Sequence, residues 1–328
     1  MRATVISEHG GPESLGWTTV PDPTAGPHDL LVQVAAAGVN RADILQREGR
    51  YPPPVGAPDW PGLEVSGRVE SFGAEVTGWQ VGDEVCALLP GGGYAERVAV
   101  PARLALPVPA GVSLRDAAAL PEAAATAWSN LVGTANLAAG ETLLVQGGSG
   151  GIGSFAVQLA SALGARVLAT ARDARRCERV EALGAAVAIE YGADDVASVV
   201  REATGGKGVD VVLDVLGAGG LESNLRSLAT GGRLVIIGLQ RGTRGEIDLG
   251  RLLARRLTVA GTTLRARPLD ERAAIVAQLR EQVWPLLAAG RIRPVVHAAV
   301  PMDRAGEAHE LLDSGEVFGK LVLVPPTG

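Results

Sequence analysis

Between Glu141 and Gly261, short apolar runs without polar alternation recur at regular intervals: 142-TLLVQ, 166-RVLAT, 186-AVAIEY, 209-VDVVLDV, 233-RLVIIG and 257-LTVAG. Such runs are expected where a parallel sheet is covered on both faces, and the segments between them read as helices. Strand and helix alternating in this way predict a doubly wound α/β sheet. Residues 1–121 have another texture. Ala3–Ser7, Leu30–Ala36, Val65–Ser71 and Glu84–Leu88 read as short strands, separated by breaker clusters such as 21-PDPTAGPHD and 52-PPPVGAPDWPG. Short strands with frequent turn signals predict a barrel-like, all-β unit. At Leu120 the pattern turns helical, and the alanine-rich 122-EAAATAWSNLVGTANLAAG is expected to run as helix to Gly140. The tail comprises a helical stretch, 269-LDERAAIVAQLREQVWPLLAAG, then 294-PVVHAAV, a short helix and 319-GKLVLV. It has no partner of its own and is expected to fold back on the N-terminal unit. The expected division is therefore 1–121 completed by 264–328, with 122–263 inserted.

A chain of 328 residues suits two such domains. Aromatic residues are only 3%, so the core must be built from Val, Leu, Ile and Ala. The net charge of −6, with no basic block, argues against a nucleic-acid or anionic-membrane partner. Cys86 and Cys177 lie far apart with no second thiol near either, which excludes a disulfide framework and a cysteine-based structural zinc site. No stretch approaches 18 uninterrupted apolar residues, and MRATVISEHGG has no signal-like apolar region, so the cytoplasm is the expected location.

The strongest chemical signal follows the first strand of the inserted unit. In 147-GGSGGIGSFAVQLASALGA, Gly148, Gly150 and Gly153 satisfy G-x-G-x-x-G, and Gly151 and Ile152 complete the turn. Glycines there permit a tight turn and a close approach to a pyrophosphate, and the helix that follows points its N-terminal N–H groups at that anion. The choice between NAD and NADP falls at the end of the next strand. There 171-ARDARRCER offers Arg172 and Arg176, suited to clasp a 2′-phosphate, and this favours NADPH. Asp173 argues the other way, since an acid about 20 residues beyond the fingerprint binds ribose hydroxyls in NAD enzymes. Arg175 and Arg179 read as a solvated helix face.

The segments 37-AGVNRADILQREGRYPPP, 61-PGLEVSGRVESFG, 88-LLPGGGYAERV, 147-GGSGGIG and 317-VFGKLVL together resemble the zinc-free quinone oxidoreductase branch of the medium-chain dehydrogenase/reductase superfamily. Within that branch they are most similar to the subgroup containing the p53-inducible quinone reductase. The resemblance spans nearly the whole chain. It implies a GroES-like β-rich catalytic domain, an inserted doubly wound Rossmann domain, NADPH as cofactor and a homodimer. Zinc relatives place a Cys and a His where 38-GVNRADIL has no Cys and 61-PGLEVSG has Leu63. Glu64 alone cannot make a site that needs three protein ligands, so no metal is expected. The four histidines, His9, His28, His297 and His309, are scattered and read as surface or packing residues.

Carried over by position, the resemblance puts Tyr51 and Asn40 at the substrate and nicotinamide pocket, where both could hydrogen-bond an acceptor oxygen. It also implies cofactor contacts for Thr126, Tyr191, Gly238, Leu239, Phe318 and Lys320. The expected function is hydride transfer from NADPH to a quinone. Reduction of an α,β-unsaturated ketone or aldehyde by the same residues, or non-catalytic NADPH binding, remain alternatives. The apolar segment 257-LTVAGTTL is expected at the sheet edge, where it could pair two Rossmann domains.

Overall fold

The computed structural model describes residues 1–192 and 194–326. Strands β1 (Arg2–Ile6), β2 (Leu15–Thr19), β3 (Asp29–Gly38), β4 (Glu64–Phe72), β5 (Glu84–Leu88), β6 (Arg97–Pro101) and β7 (Ala105–Pro107) come first. Next come β8 (Thr142–Val145), β9 (Arg166–Ala171), β10 (Val187–Glu190), β11 (Val209–Asp214), β12 (Leu228–Ile236) and β13 (Thr258–Gly261). The chain ends with β14 (Val296–Pro301) and β15 (Lys320–Val324). Two compact units result: residues 1–125 with 265–328, and residues 126–264.

In the first unit, β14-β15-β3-β4-β5-β7 form one sheet and β6 also pairs with β3. The C-terminal segment is sewn into it. β15 runs antiparallel to β3, with Val322 opposite Gly38 and Leu323 opposite Ala37. The unpaired face of this junction is sealed by small residues, Ala36, Ala118 and Ala119 packing on Val322. Gly38 ends β3 because nothing larger fits. A Cβ there would lie 2.2 Å from Glu64 Oε1 and 2.6 Å from the Ala118 carbonyl.

The second unit holds a parallel sheet in the order β10-β9-β8-β11-β12-β13. The chain winds outward from β8 through β9 to β10, then crosses to β11 on the other side of β8. The switch point therefore lies between β8 and β11. Both faces are buried, as the unalternated runs require. Leu144, Leu168, Val212 and Leu234 pack with Val196, Val200, Leu221 and Leu225, while Leu143, Val167, Val211 and Leu213 are as deeply covered. Full burial of each such side chain stabilises by about 1.5–3 kcal/mol. β10 and β13 are the two edge strands of this sheet.

Two helices depart from the sequence expectation. The helix begun at Pro121 is regular only to Trp128, then winds into a π-type turn over Ser129–Thr134 and does not reach Gly140. Asn130 supplies the cause. Its Nδ2 donates to the Thr126 carbonyl at 2.8 Å while Thr262 Oγ1 donates to its Oδ1 at 2.5 Å. A side chain thus occupies an acceptor of the backbone ladder. The tail helix is broken likewise, with Leu269–Gln278 and Trp284–Ala288 flanking a π-type Leu279–Val283. Pro285 has no N–H to give to the carbonyl four residues back, and the wider turn absorbs the loss.

Candidate functional site

Each unit carries its own cluster of candidate side chains. In the second unit, the turn after β8 stands at the switch point, where open α/β sheets bind ligands. Its shape is held by a buried relay. Gly147 N–H donates to Thr170 Oγ1 at 2.9 Å, Thr170 donates to Gln146 Oε1 at 2.9 Å, and Gln146 Nε2 donates to Asn224 at 2.7 Å. The backbone of Gly147 turns at φ +72°, and Gly150 caps the helix Gly151–Ala162. A Cβ on Gly153 would lie 2.1 Å from the Gly147 carbonyl, and one on Gly148 would lie 2.8 Å from Ala169 Cβ. Only glycine permits this cradle. The turn and the first N–H groups of the helix, which have no intrahelical acceptor, suit a dinucleotide pyrophosphate.

Arg172 leaves the end of β9, and Asp173 is the N-cap of the helix Ala174–Glu181. The Asp173 carboxylate accepts from the Arg176 backbone N–H at 2.9 Å and from its guanidinium at 2.5 Å. The acid that argued for NAD is thus engaged in capping and in an ion pair, and that engagement holds its pKa below the usual carboxylate value. Tyr191 lies beside this corner, its N–H donating to the Ala171 carbonyl at 2.7 Å. The guanidinium of Arg241 stacks on the Tyr191 ring, 4.2 Å from its centroid. Arg241 carried no signal in the sequence beyond being an arginine after β12. Gly238 and Leu239 follow β12 and run past Val215, where a Cβ on Gly238 would sit 3.0 Å from the Val215 carbonyl. The turn they meet is pinned by buried Asp214, which accepts from the N–H groups of Leu216 and Gly217 at 3.0 and 2.9 Å. Thr126 is buried at the start of the unit, its carbonyl bound by Asn130.

In the first unit, Asn40 caps the helix Arg41–Arg47, and both ends of its amide are engaged inside the protein. Lys320 Nζ donates to Asn40 Oδ1 at 2.7 Å, and Asn40 Nδ2 donates to Glu64 Oε1 at 2.9 Å. Lys320 also pairs with Glu64 at 2.5 Å, and the other Glu64 oxygen accepts from the Glu122 N–H at 2.9 Å. Glu64 is fully buried and Lys320 nearly so. Asn40 and Lys320, singled out separately in the sequence, are thus joined through an acid considered there only as a zinc ligand. Phe318 is buried two residues earlier in the same strand approach.

Tyr51 is half-buried and differently placed. Its hydroxyl has no hydrogen-bond partner among the described residues. Burial, reinforced by Glu122, raises the phenol pKa above its usual value, while Arg265 opposes the rise. Beneath the helix cap lies a second buried network. Asp43 accepts from the N–H groups of Asn40 and Gly62 at 2.8 and 2.9 Å, and from Tyr94 at 3.1 Å. Tyr94 meets His309 at 3.3 Å, and His309 meets Arg47 at 3.3 Å. Burial raises the Asp43 pKa to about 6 and holds His309 neutral, down to about 3. A recess of about 430 Å³ in this unit is lined by Ile6, His9, Gln46, Pro52 and Asp59, and neither Tyr51 nor Asn40 contributes to it.

Among the described residues, no three His, Cys, Asp or Glu side chains come together in a way that could hold a metal ion. Nor, among the described residues, is any helix long and apolar enough to cross a membrane.

Residues 26–110 match the alcohol dehydrogenase GroES-like domain, and residues 151–280 match the family described as zinc-binding dehydrogenase. The chain is 32% identical to a quinone oxidoreductase of Rattus norvegicus, over 99% of this chain and 98% of the relative. An Escherichia coli quinone oxidoreductase complexed with NADPH has a TM-score of 0.89 at 29% identity, covering 99% of both chains. A structure described as an NAD-dependent alcohol dehydrogenase also scores 0.89, at 33% identity, covering 99% of this chain and 100% of the other. The glycine cradle at the switch point, the β-rich unit completed by the tail and these full-length likenesses agree: the chain belongs to the quinone oxidoreductases of the medium-chain dehydrogenase/reductase superfamily.

Proposed function

We propose that the protein is a zinc-independent NADPH-dependent quinone reductase in which Tyr51 is the hydrogen-bond donor to the acceptor. The observation that carries this reading is the contrast between two side chains. The Asn40 amide is bound at both ends by Lys320 and Glu64, whereas the Tyr51 hydroxyl is held nearby in sequence without a partner. Asn40 is accordingly a positioning residue and Tyr51 the catalytic one. The NADPH-complexed Escherichia coli relative supports the cofactor assignment.

The cradle of Gly148, Gly150, Gly151, Ile152 and Gly153 would hold the pyrophosphate. Arg172, Arg176 and Tyr191 would receive the adenosine end, and Thr126, Gly238 and Leu239 would border the remainder. Lys320 would act through Asn40 rather than on the cofactor. When bound, NADPH supplies the hydride. The contribution of this chain is to orient a flat acceptor and to donate a hydrogen bond where negative charge grows on its oxygen, so the bond strengthens in the transition state. The exposed edge of β13 further supports a homodimer formed through the second unit, and light scattering showing a monomer at micromolar concentration would refute that.

The test is Tyr51→Phe. Turnover with quinones should fall by up to about a hundredfold, with less expected because a quinone is already a good acceptor. NADPH titration by fluorescence should not change. An unaffected rate would reduce Tyr51 to a pocket wall. Faster NADPH oxidation with an enone than with any quinone would move the substrate class, and oxidation with neither would leave a binding protein.

A further inference from the structure

We infer that Arg265 is the positioning and polarising residue for Tyr51. The inference rests on the reading of Tyr51 as the donor and extends it to a residue that no sequence motif marks. Arg265 is 5% exposed, an unusual environment for a guanidinium, and its donors are spent on one small region. Nε donates to the Pro90 carbonyl at 2.6 Å, Nη2 to Gln46 Oε1 at 2.8 Å and Nη1 to the Tyr51 carbonyl at 3.4 Å. The guanidinium carbon also lies 5.3 Å from the centroid of the Tyr51 ring. One side chain therefore grips the backbone of Tyr51 and lies against its ring.

The grip continues through Gln46. Its Nε2 donates to the Asp59 carbonyl at 2.9 Å, while Trp60 Nε1 donates to the Gly92 carbonyl at 3.0 Å. The loop between Tyr51 and Trp60, rich in proline and lacking regular structure, is thus clipped at both ends around Arg265. Space for the guanidinium is reserved by glycine. At Gly91, φ is +156°, and a Cβ there would stand 3.2 Å from Arg265 Nη2.

A fixed cation beside a phenol does more than hold it. Positive charge favours the phenolate, opposing the burial that disfavours it, and so makes the hydroxyl a stronger donor to an oxygen that is becoming negative. Arg265 acts in this direction on Tyr51, against both burial and Glu122. Because the cation is already in place, no reorganisation is needed when the acceptor oxygen gains charge.

The experiment exploits the presence of only three tyrosines, Tyr51, Tyr94 and Tyr191. The full-length protein is labelled with ring-fluorinated tyrosine, which brings phenol titration into a milder pH range, and each resonance is followed by fluorine NMR. Arg265→Gln should raise the Tyr51 titration midpoint, leave that of Tyr191 in place, and lower kcat for quinone roughly tenfold, less than loss of a direct oxyanion donor. NADPH affinity should hold. Arg265→Lys restores the charge without the fork, so the midpoint should return toward that of the native protein while KM for the acceptor rises. A purely structural arginine predicts the opposite sign: its loss would let water reach the phenol and the midpoint would fall. A fall, or no change, overturns the inference. Since the midpoint is read without turnover, it stands apart from the Tyr51→Phe assay. An inert Tyr51→Phe with a raised midpoint would sink the catalytic reading alone.

Discussion

Replacing Lys320 by Met leaves a carboxylate stranded in the protein interior. Lys320 and Glu64 are 4% and 0% exposed, and their 2.5 Å contact is the only cationic contact on Glu64 among the described residues. Without it, Glu64 keeps two donors, Asn40 Nδ2 and the Glu122 N–H, both at 2.9 Å. Removing one partner of a buried ion pair typically costs about 3–5 kcal/mol, against about 0–1 kcal/mol for an exposed pair. The two surviving hydrogen bonds put the expected cost near the lower end, about 3 kcal/mol. That is a large fraction of a total stability of about 5–15 kcal/mol. In urea, with a denaturant slope of about 3 kcal/mol/M, the midpoint should drop by about 1 M. The double variant Glu64→Gln with Lys320→Met removes both charges and should be more stable than Lys320→Met alone, so the single costs should not add. Asn40 also loses the donor on its Oδ1, so quinone turnover should fall with NADPH affinity unchanged. A cost under about 1 kcal/mol, or strict additivity in the cycle, would refute the claim that this pair is a buried, coupled unit.

Other outcomes follow from the same geometry. Chelators should leave activity unchanged and metal analysis should find no stoichiometric zinc; a tightly bound zinc whose removal abolishes turnover would overturn the zinc-independent reading. Combined Arg172→Ala and Arg176→Ala should weaken NADPH roughly ten- to a hundredfold, the worth of about 1.5–3 kcal/mol in charged hydrogen bonds, and leave NADH nearly unchanged. Equal weakening of both would make the arginines structural and reopen Asp173. For Asp43, the folded pKa of about 6 lies above the ordinary carboxylate value of 3.8, so the folded state holds the proton more tightly. Its contribution to stability is present at low pH and lost as pH rises through about 6. Asp43→Asn deletes that contribution, and the melting temperature gap between native protein and variant should therefore widen on going from about pH 6.5 to about pH 4.5. His309, held neutral to about 3, acts in the opposite sense but is common to both proteins.

Much of the second unit is legible in the sequence because its determinants are local. Strand runs such as 142-TLLVQ and 209-VDVVLDV announce burial on both faces through their own composition, and the glycine turn is readable because the residues that bend it are contiguous. The broken helices are less legible. Nothing around Asn130 reveals that Thr262, far along the chain, holds its side chain and so widens the turn. The roles of Asn40, Lys320 and Asp173 show the same divide. Each was visible as a polar residue in a suggestive place, but whether its polar atoms face a ligand or another side chain depends on partners the pattern does not contain.

The sequence by itself therefore determined the order of elements, the parallel sheet and the cradle, since periodicity and backbone freedom are properties of neighbouring residues. Tertiary structure alone decided which side chains are spent and which are left available. Asn40 meets Lys320 across 280 positions, and Arg265 reaches Tyr51 across 214. Pairings over such spans are set by how whole strands and helices pack. At each, burial makes an unmatched charge or amide costly, so the folded chain must supply a partner that no local pattern names.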